Sequence, residues 1–183
     1  MSKCCFEVLQ SGQNRVASMA LIHEQLYQTE NLSQIEVAAY LQNLVANLFS
    51  SYEIRGSTIS LRMNIEEIYL DVEQAIPCGL IINELICNSL KYAFPQGKEG
   101  EIYISFYSDN NRITMIVSDN GVGIPKELNW QSADSLGLKL VNALTEQLEG
   151  TLELNRDIGT EFKLTFQNVI CDIGIATGKM SYR

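Results

Sequence analysis

The chain of 183 residues carries 22 acidic and 13 basic side chains, a formal net charge of −9, with 46% hydrophobic and 19% charged residues. That is the composition of one globular domain, with or without a helical appendage. It excludes a disordered or fibrous chain, and no apolar run approaches the roughly 20 residues that a bilayer span needs. The acidic balance argues against a nucleic-acid surface, so any polyanion must be gripped by a local site.

The first residues, MSKCCFEVLQSGQNR, lack the basic, apolar and small-residue layout of a secretory leader. Five cysteines at positions 4, 5, 78, 87 and 171 form no CxxC pair and are odd in number. They read as reduced thiols in a cytoplasmic protein, and with one histidine they offer no zinc set. Val16, Met19, Ala20, His23, Leu26 and Tyr27 recur at helical spacing. Asn31-Leu32-Ser33 reads as helix-start chemistry rather than as a glycosylation site, and a second helical stripe runs through Val37, Ala38, Leu41, Leu44, Val45, Leu48, Phe49 and Tyr52. The short polar turn between the two stripes predicts antiparallel helices, and Gly56 ends the second.

Ser57 to Met63 reads as a strand, and a long helix is predicted from about Glu73 to Tyr92, with Pro77 near its first turn. Ile102, Ile104 and Phe106 alternate, as do Ile113, Met115 and Val117, and Asp109-Asn110-Asn111 between them is a hairpin signal. A glycine-bearing loop from Asp119 to about Ser135 leads into a helix over Leu136 to Leu148, stopped by Gly150. Leu152 and Leu154, then Phe162, Leu164 and Phe166, give the last strands, and the tail after Asn168 is weakly patterned. Strands with helices on one side predict an α+β sandwich.

Four stretches carry chemistry, each with a bland alternative when taken alone. Glu84 and Asn88 share a helix face, with Lys91 one turn beyond. An amide oxygen can ligate Mg²⁺, a carboxylate can polarise an attacking group and a lysine can meet a phosphate, although the same three form an ordinary solvated stripe. Asp119-Asn120-Gly121-Val122-Gly123-Ile124-Pro125 ends an alternating strand. Its carboxylate can accept from an exocyclic amine while the glycines admit a flat ring, or the stretch is merely an Asn-Gly turn. Ser135-Leu136-Gly137-Leu138 opens a helix whose N–H groups attract phosphate or simply need a cap. Gly159-Thr160 precedes the last strong strand, where the plain reading is a turn. Residues 174–180, GIATGKM, have the wrong spacing for a P-loop, Gly121-Val122-Gly123 lacks the third glycine of a dinucleotide fingerprint, and His23 sits near no oxyanion-type loop.

In this order the four stretches resemble the ATP-binding fold shared by histidine kinases, gyrase-type ATPases and Hsp90-type chaperones. NELICNSLKYAF resembles the N box, DNGVGIP the first glycine box, SLGLKLV the second, and Gly159-Thr160 the closing pair. NRVASMALIHEQLY and AIPCGLIINEL resemble a bacterial and archaeal sensor histidine kinase subfamily with a short ATP lid, so that the likeness spans residues 13–167. It implies a two-layer, Bergerat-type α/β sandwich preceded by a helical segment. Residues 1–30 would be a remnant of the dimerisation and phosphotransfer segment, 31–168 the ATP-binding catalytic domain and 169–183 a tail.

The resemblance further implies that Asn88 holds Mg²⁺ against the phosphates of ATP beside Glu84 as activating carboxylate, with Lys91 and Tyr92 flanking the phosphate and ribose end. Asp119 would accept the adenine amine, helped through water by Thr160, and Gly121 and Gly123 would line the base pocket. Backbone groups around Gly137 and Leu138 would hold phosphates, and Lys126 to Asp134 would be a lid. The implied activity is that of a protein-histidine kinase working with ATP or ADP, a histidine-bearing phosphotransfer helix and a response regulator.

In that subfamily the acceptor histidine lies in a stretch resembling HHRVKNN ahead of the NRVASMALIHE segment. No such stretch occurs in this sequence, so the acceptor is expected outside this chain, and His23 reads as a packed core residue. Family members pair through a four-helix bundle. With half of each hairpin missing, the Val16–Tyr27 stripe is left to pack on itself or on a second copy, and a homodimer stays open. Two other readings share the pocket: a nucleotide-binding regulatory or docking module without phosphotransfer, and an anti-sigma-type serine kinase.

Overall fold

A computed structural model describes residues 9, 12–21, 24, 34–51, 59–95, 98–128, 130–132 and 135–169. His23, Asn31, Ser33, Cys4, Cys5, Cys171 and residues 174–180 lie outside the described residues. Helical residues 12–21 form α1. Strand β1 (Gln34–Glu36) leads into α2 (Val37–Ser51), followed by β2 (Ile59–Ile65), β3 (Tyr69–Asp71) and α3 (Val72–Asn88), which runs on into a π-helical turn, Ser89–Ala93. The chain then forms β4 (Gly100–Asp109), β5 (Arg112–Asp119), a 3-10 turn (Trp130–Ser132), α4 (Leu136–Gln147), β6 (Thr151–Asn155) and β7 (Thr160–Gln167).

The sheet has the order β2-β4-β5-β7-β6, parallel between β2 and β4 and antiparallel elsewhere. Alternation along β4, β5 and β7 points Ile104, Phe106, Ile113, Met115, Val117, Phe162, Leu164 and Phe166 to one face. There they join one core cluster with Leu41, Leu44 and Leu48 of α2, Ile81, Ile82 and Ile86 of α3, and Val141 of α4. The α+β, two-layer sandwich expected from the pattern is the one found.

Strands β1 and β3 were not visible in the sequence, since three residues are too few to show alternation. They pair antiparallel with Ile35 opposite Leu70, both fully buried. Asp71 ends β3 and caps α3, its side chain accepting the Gln74 N–H at 2.7 Å. Pro77 is the sixth residue of α3 rather than a first-turn residue, and it removes the N–H that would bond the Glu73 carbonyl. The helix expected to reach Tyr92 instead widens after Asn88. β2 runs to Ile65, two residues further than its predicted end.

The hairpin signal is correct in detail. Asn110 and Asn111 have φ of 48° and 63°, as a two-residue type I′ turn requires, and Asp109 pairs with Arg112. At the end of α4 the left-handed residue is Glu149 (φ 50°), not glycine. The Glu149 N–H donates to the Glu146 carbonyl and the Gly150 N–H to the Thr145 carbonyl, both at 2.9 Å, which is a Schellman motif with glutamate in the glycine position. Gly150 is needed one step later, because a Cβ there would lie 3.0 Å from Leu164 Cδ1 and from the Thr165 carbonyl.

Helix α1 turns a polar face to the domain and leaves the described part of its apolar stripe exposed, the stripe expected to pack on itself or on a second copy. Asn14 and Ser18 are buried, whereas Val16 is 67% and Met19 42% exposed. The Asn14 Nδ2 donates to Cys87 Sγ at 3.9 Å, and the Ser18 hydroxyl bonds back to the Asn14 carbonyl. Among the described residues of this helix, Leu21 alone packs on the apolar core, and it is only half-buried. Among the described residues, the contacts of α1 with α3 are therefore chiefly polar, and Val16 and Met19 are exposed.

Two substitutions test this packing. Glu149→Gly relieves a left-handed side chain and is expected to raise stability by about 0.5–1 kcal/mol, a Tm increase of roughly 2–4 °C in calorimetry. Tyr40 is 2% exposed and its hydroxyl has no hydrogen-bond partner among the described residues. Burial and the nearby Cys78 push its pKa up. Tyr40→Phe removes an unsatisfied hydroxyl and is expected to leave Tm unchanged or raise it by a few degrees; a drop would mean that the hydroxyl is satisfied.

Candidate functional site

A cavity of about 690 Å³ opens between α3, the start of α4 and the carboxyl end of β5 with its following loop. Its wall includes Glu84, Asn88, Lys91, Tyr92, Asp119, Gly123, Gly137, Leu138 and Thr160, nine of the ten site residues named from the sequence. Gly121 is the exception. A Cβ there would run into the carbonyl and Cβ of Ala93, so this glycine serves the close crossing of the loop over the π turn rather than the cavity wall. The Val122 N–H donates to the Ala93 carbonyl at 2.9 Å across that crossing.

Asp119 closes β5 and is 5% exposed. A carboxylate so placed is tolerable only when hydrogen-bonded. The Ser89 hydroxyl donates to Oδ2 at 2.7 Å, and the Gly121 N–H donates to Oδ1 at 3.0 Å. The β5–β7 register sets Thr160 directly opposite. Gly159 (φ 64°) lies against the Asp119 carbonyl so closely that no Cβ fits. Gly123 (φ 73°) in turn abuts Gly159, a Cβ there falling 2.7 Å from the Gly159 carbonyl. The two glycine stretches, 36 residues apart in sequence, thus interlock against the backbone of Asp119.

The π turn explains how α3 serves both ends of the cavity. Ser89, still in α-helical register with its N–H on the Leu85 carbonyl, meets Asp119, and the π turn that begins there runs on through Lys91 and Tyr92, which line the wall with Asn88, Tyr92 being 68% exposed. One turn back, Glu84 is 3% exposed and meets Arg15 of α1 in a two-pronged pair, with Nε to Oε1 at 2.6 Å and Nη2 to Oε2 at 2.9 Å. The Asn83 amide adds a bond to Oε1 at 3.1 Å. The Glu84 carboxylate raises the Arg15 pKa further above its ordinary value, burial opposing.

Across the cavity, Gly137 allows α4 to approach, since a Cβ would stand 2.7 Å from Glu84 Oε2 and 4.0 Å from Asn88 Nδ2. Ser135 caps α4, its hydroxyl accepting the Leu138 N–H at 3.4 Å, so that N–H is already partly engaged. The first turn of α4 carries no acidic residue, which leaves its dipole available to an anion. The loop after Gly123 is held at both ends. Arg156 donates to the carbonyls of Pro125, Lys126 and Leu128 at 3.0–3.1 Å, and Trp130 packs edge-on against Phe162 with ring centroids 5.5 Å apart. Residues 129, 133 and 134 of the expected lid lie outside the described residues.

Arg15, Ser89, Arg156 and Phe162 escaped the sequence reading. Ser89 was legible in principle as the residue beside Asn88, but its partner Asp119 lies 30 residues further along the chain. Arg15 and Arg156 are far from their partners in sequence, and nothing local marks them.

The family described as "Histidine kinase-, DNA gyrase B-, and HSP90-like ATPase" matches residues 73–170, and a family described as "Histidine kinase" matches residues 1–52. Sensor histidine kinase PdtaS of Mycobacterium tuberculosis is 27% identical over 164 residues, 86% of this chain and 32% of that protein. Blue-light-activated histidine kinase 2 of Erythrobacter litoralis is 28% identical over 67% of this chain and 35% of its own length. The chain thus spans about a third of the curated relatives it matches. Among solved structures, a histidine kinase domain from an Erythrobacter litoralis blue-light-activated histidine kinase aligns with a TM-score of 0.77 at 22% identity, over 86% of this chain and 75% of that one. Acinetobacter baumannii AdeS aligns at 0.60 and 17% identity, over 92% and 86%. At such identities these structural likenesses concern the fold.

Two further changes probe the built site. Gly159→Ala forces a side chain into a left-handed position against the Asp119 carbonyl and is expected to lower stability by about 2 kcal/mol or more; a near-neutral change in denaturant unfolding would contradict the packing. Arg156→Ala frees three loop carbonyls at the surface. It is expected to raise amide exchange over residues 126–128 several-fold while changing Tm little.

Proposed function

The chain belongs to the histidine kinase-, DNA gyrase B- and HSP90-like ATPase family, and from this we propose that it is the ATP-binding catalytic domain of a sensor histidine kinase. In this reading residues 1–30 are part of the dimerisation and phosphotransfer segment, residues 31–168 the catalytic domain and 169–183 a tail. It works in the cytosol, where ATP is found. Among the described residues no helix is long and apolar enough to cross a membrane. A histidine on a phosphotransfer helix beyond these 183 residues receives the γ-phosphoryl, and a response regulator receives it next.

The observation that carries the reading is Asp119, a buried carboxylate whose two donors, Ser89 and Gly121, leave lone pairs for one more. Adenine supplies such a donor through its exocyclic amine, with the ring lying in the space that Gly123 leaves and Thr160 assisting from across the sheet. The phosphates then run towards Lys91 and the first turn of α4, where free helix N–H groups and the dipole favour negative charge. Tyr92 borders the ribose end. Gly137 and Leu138 border the phosphates with their backbone, Leu138 sharing its N–H with the Ser135 cap.

The donor set fits Mg²⁺. Asn88 contributes a hard oxygen at the phosphate end, and Mg²⁺ takes few protein ligands, completing its shell with phosphate oxygens and water. No group of three His, Cys, Asp or Glu side chains able to cage a cation occurs among the described residues, which suits a cation that arrives with the nucleotide. When bound, it neutralises phosphate charge. Glu84 sits one turn from Asn88, placed to orient and accept the proton of the attacking imidazole. The remaining catalytic work is positioning and charge stabilisation.

Calorimetric titration with ADP, followed by transfer in trans to a histidine-bearing hairpin, tests this. Asp119→Asn turns an acceptor into a donor towards adenine and is expected to weaken ADP binding at least about 100-fold; unchanged affinity overturns the adenine assignment. Asn88→Ala is expected to cut transfer about 100-fold or more while ADP affinity in the absence of Mg²⁺ moves less than about three-fold. The phosphorylated product is expected to be acid-labile, and an acid-stable product would assign a serine kinase instead.

A further inference from the structure

We propose that Arg15 is a positioning residue that holds Glu84 out of action, so that transfer requires α1 to leave the catalytic domain. The inference rests on the nucleotide-binding reading above and adds a control element to the same cavity. Its observations are geometric. Gly12 and Arg15 of α1 are part of the cavity wall, so this helix covers the end of the pocket where Glu84 stands. Both oxygens of the carboxylate are taken by one guanidinium, Oε1 also accepts from Asn83, and Gly137 packs against Oε2.

A carboxylate has about four acceptor positions, and a bidentate arginine takes the two best aligned. Three are filled in Glu84, and Gly137 of α4 lies beside Oε2. An imidazole approaching with its N–H meets a carboxylate already engaged at both oxygens. Glu84 can serve as the activating group only after the guanidinium withdraws.

Among the described residues, little apolar surface holds α1 in place. Its described inner face is Asn14, Arg15 and Ser18, its described attachments are the Glu84 pair and the Asn14–Cys87 contact, and Leu21 adds one half-buried apolar side chain. Val16 and Met19 point away from the domain. A helix held mainly by polar contacts, with its apolar stripe unburied, is poised between two partners. Covering the stripe elsewhere costs chiefly those polar contacts, and they are replaced by water entering the opened cavity. Release then exposes Glu84 to the pocket at the moment α1 takes up its other packing. Arg15 thereby makes the activating carboxylate report on the position of the helix.

The test uses the 183-residue chain in a Cys4→Ser/Cys5→Ser background, with three readouts. In Arg15→Ala, transfer from Mg·ATP to a histidine-bearing hairpin supplied in trans is expected to rise at least about five-fold in kcat, with KM for Mg·ATP within about two-fold, and Arg15→Lys, which keeps a single-pronged pair, is expected to fall between. A kcat that is unchanged or lower overturns the proposal, a fall marking Arg15 as an assisting group instead. Asn14→Cys places a second thiol against Cys87. Mild oxidation should pin α1 down by a disulfide, counted by thiol titration, and suppress turnover at least about ten-fold, with recovery on adding dithiothreitol. Failure of the bridge to form, or full turnover in its presence, counts against a docked and inhibitory α1.

Hydrogen exchange without nucleotide separates this proposal from the nucleotide reading. Protection over residues 12–21 is expected to be lost in Arg15→Ala, and unchanged protection overturns the latch whatever the pocket binds. ADP binding that is absent in every variant refutes the nucleotide reading by itself.

Discussion

Asp119 sets the terms for the rest of the site. A buried ionised group must be surrounded by donors, and in this chain they come from elements that would otherwise have no reason to meet. The end of α3 delivers Ser89, the first glycine loop delivers the Gly121 N–H, and Gly159 allows the β6–β7 turn to lie against the same backbone. Each contact also builds the cavity. The π turn that follows Asn88 has Lys91 and Tyr92 on the wall, and the turn ending in Gly159 sets Thr160 opposite Asp119. Fold stability and recognition chemistry are the same set of contacts, so damage to either shows in both.

Glu84 follows a different logic. It too is buried, but its partner comes from outside the sandwich, on a helix whose hold is chiefly polar. Asp119 is therefore fixed by the domain, whereas Glu84 depends on a part that can be exchanged. The first suits a group that must recognise the same flat base in every cycle. The second suits a group whose availability changes.

Much of this was legible because the relevant signals are local. Alternation in β4 and β5, the Asp109-Asn110-Asn111 turn, the α2 stripe and the order of the four glycine- and asparagine-bearing stretches each depend on neighbours within a few residues, and the structure keeps them. What was lost depends on partners far away in sequence. The π turn after Asn88 is crossed by the Gly121 loop at Ala93, and no residue in SLKYA announces it. Gly121 looked like a pocket residue because of Gly123, yet it is spent on crossing Ala93. The stripe of Val16 and Met19 has good helical period, but period cannot show that Asn14 and Ser18 are the residues buried against the domain. The αL residue at 149 was misread because a glycine one position later was the more familiar stop.

The strand order has a consequence for synthesis on the ribosome. β7 is the last strand to emerge, yet it lies inside the sheet between β5 and β6, and it carries the residue opposite Asp119. Until residue 167 has left the exit tunnel, β5 offers an open, apolar edge in the middle of the future core, and the buried carboxylate lacks its far wall. The nascent domain thus has its helices in hand and an unpaired strand for as long as roughly 50 residues take to be made, a few seconds or more at ordinary elongation rates. Such an edge invites pairing with other chains. The sandwich is accordingly obliged to fold late and all at once, with the final strand acting as the keystone of both sheet and pocket.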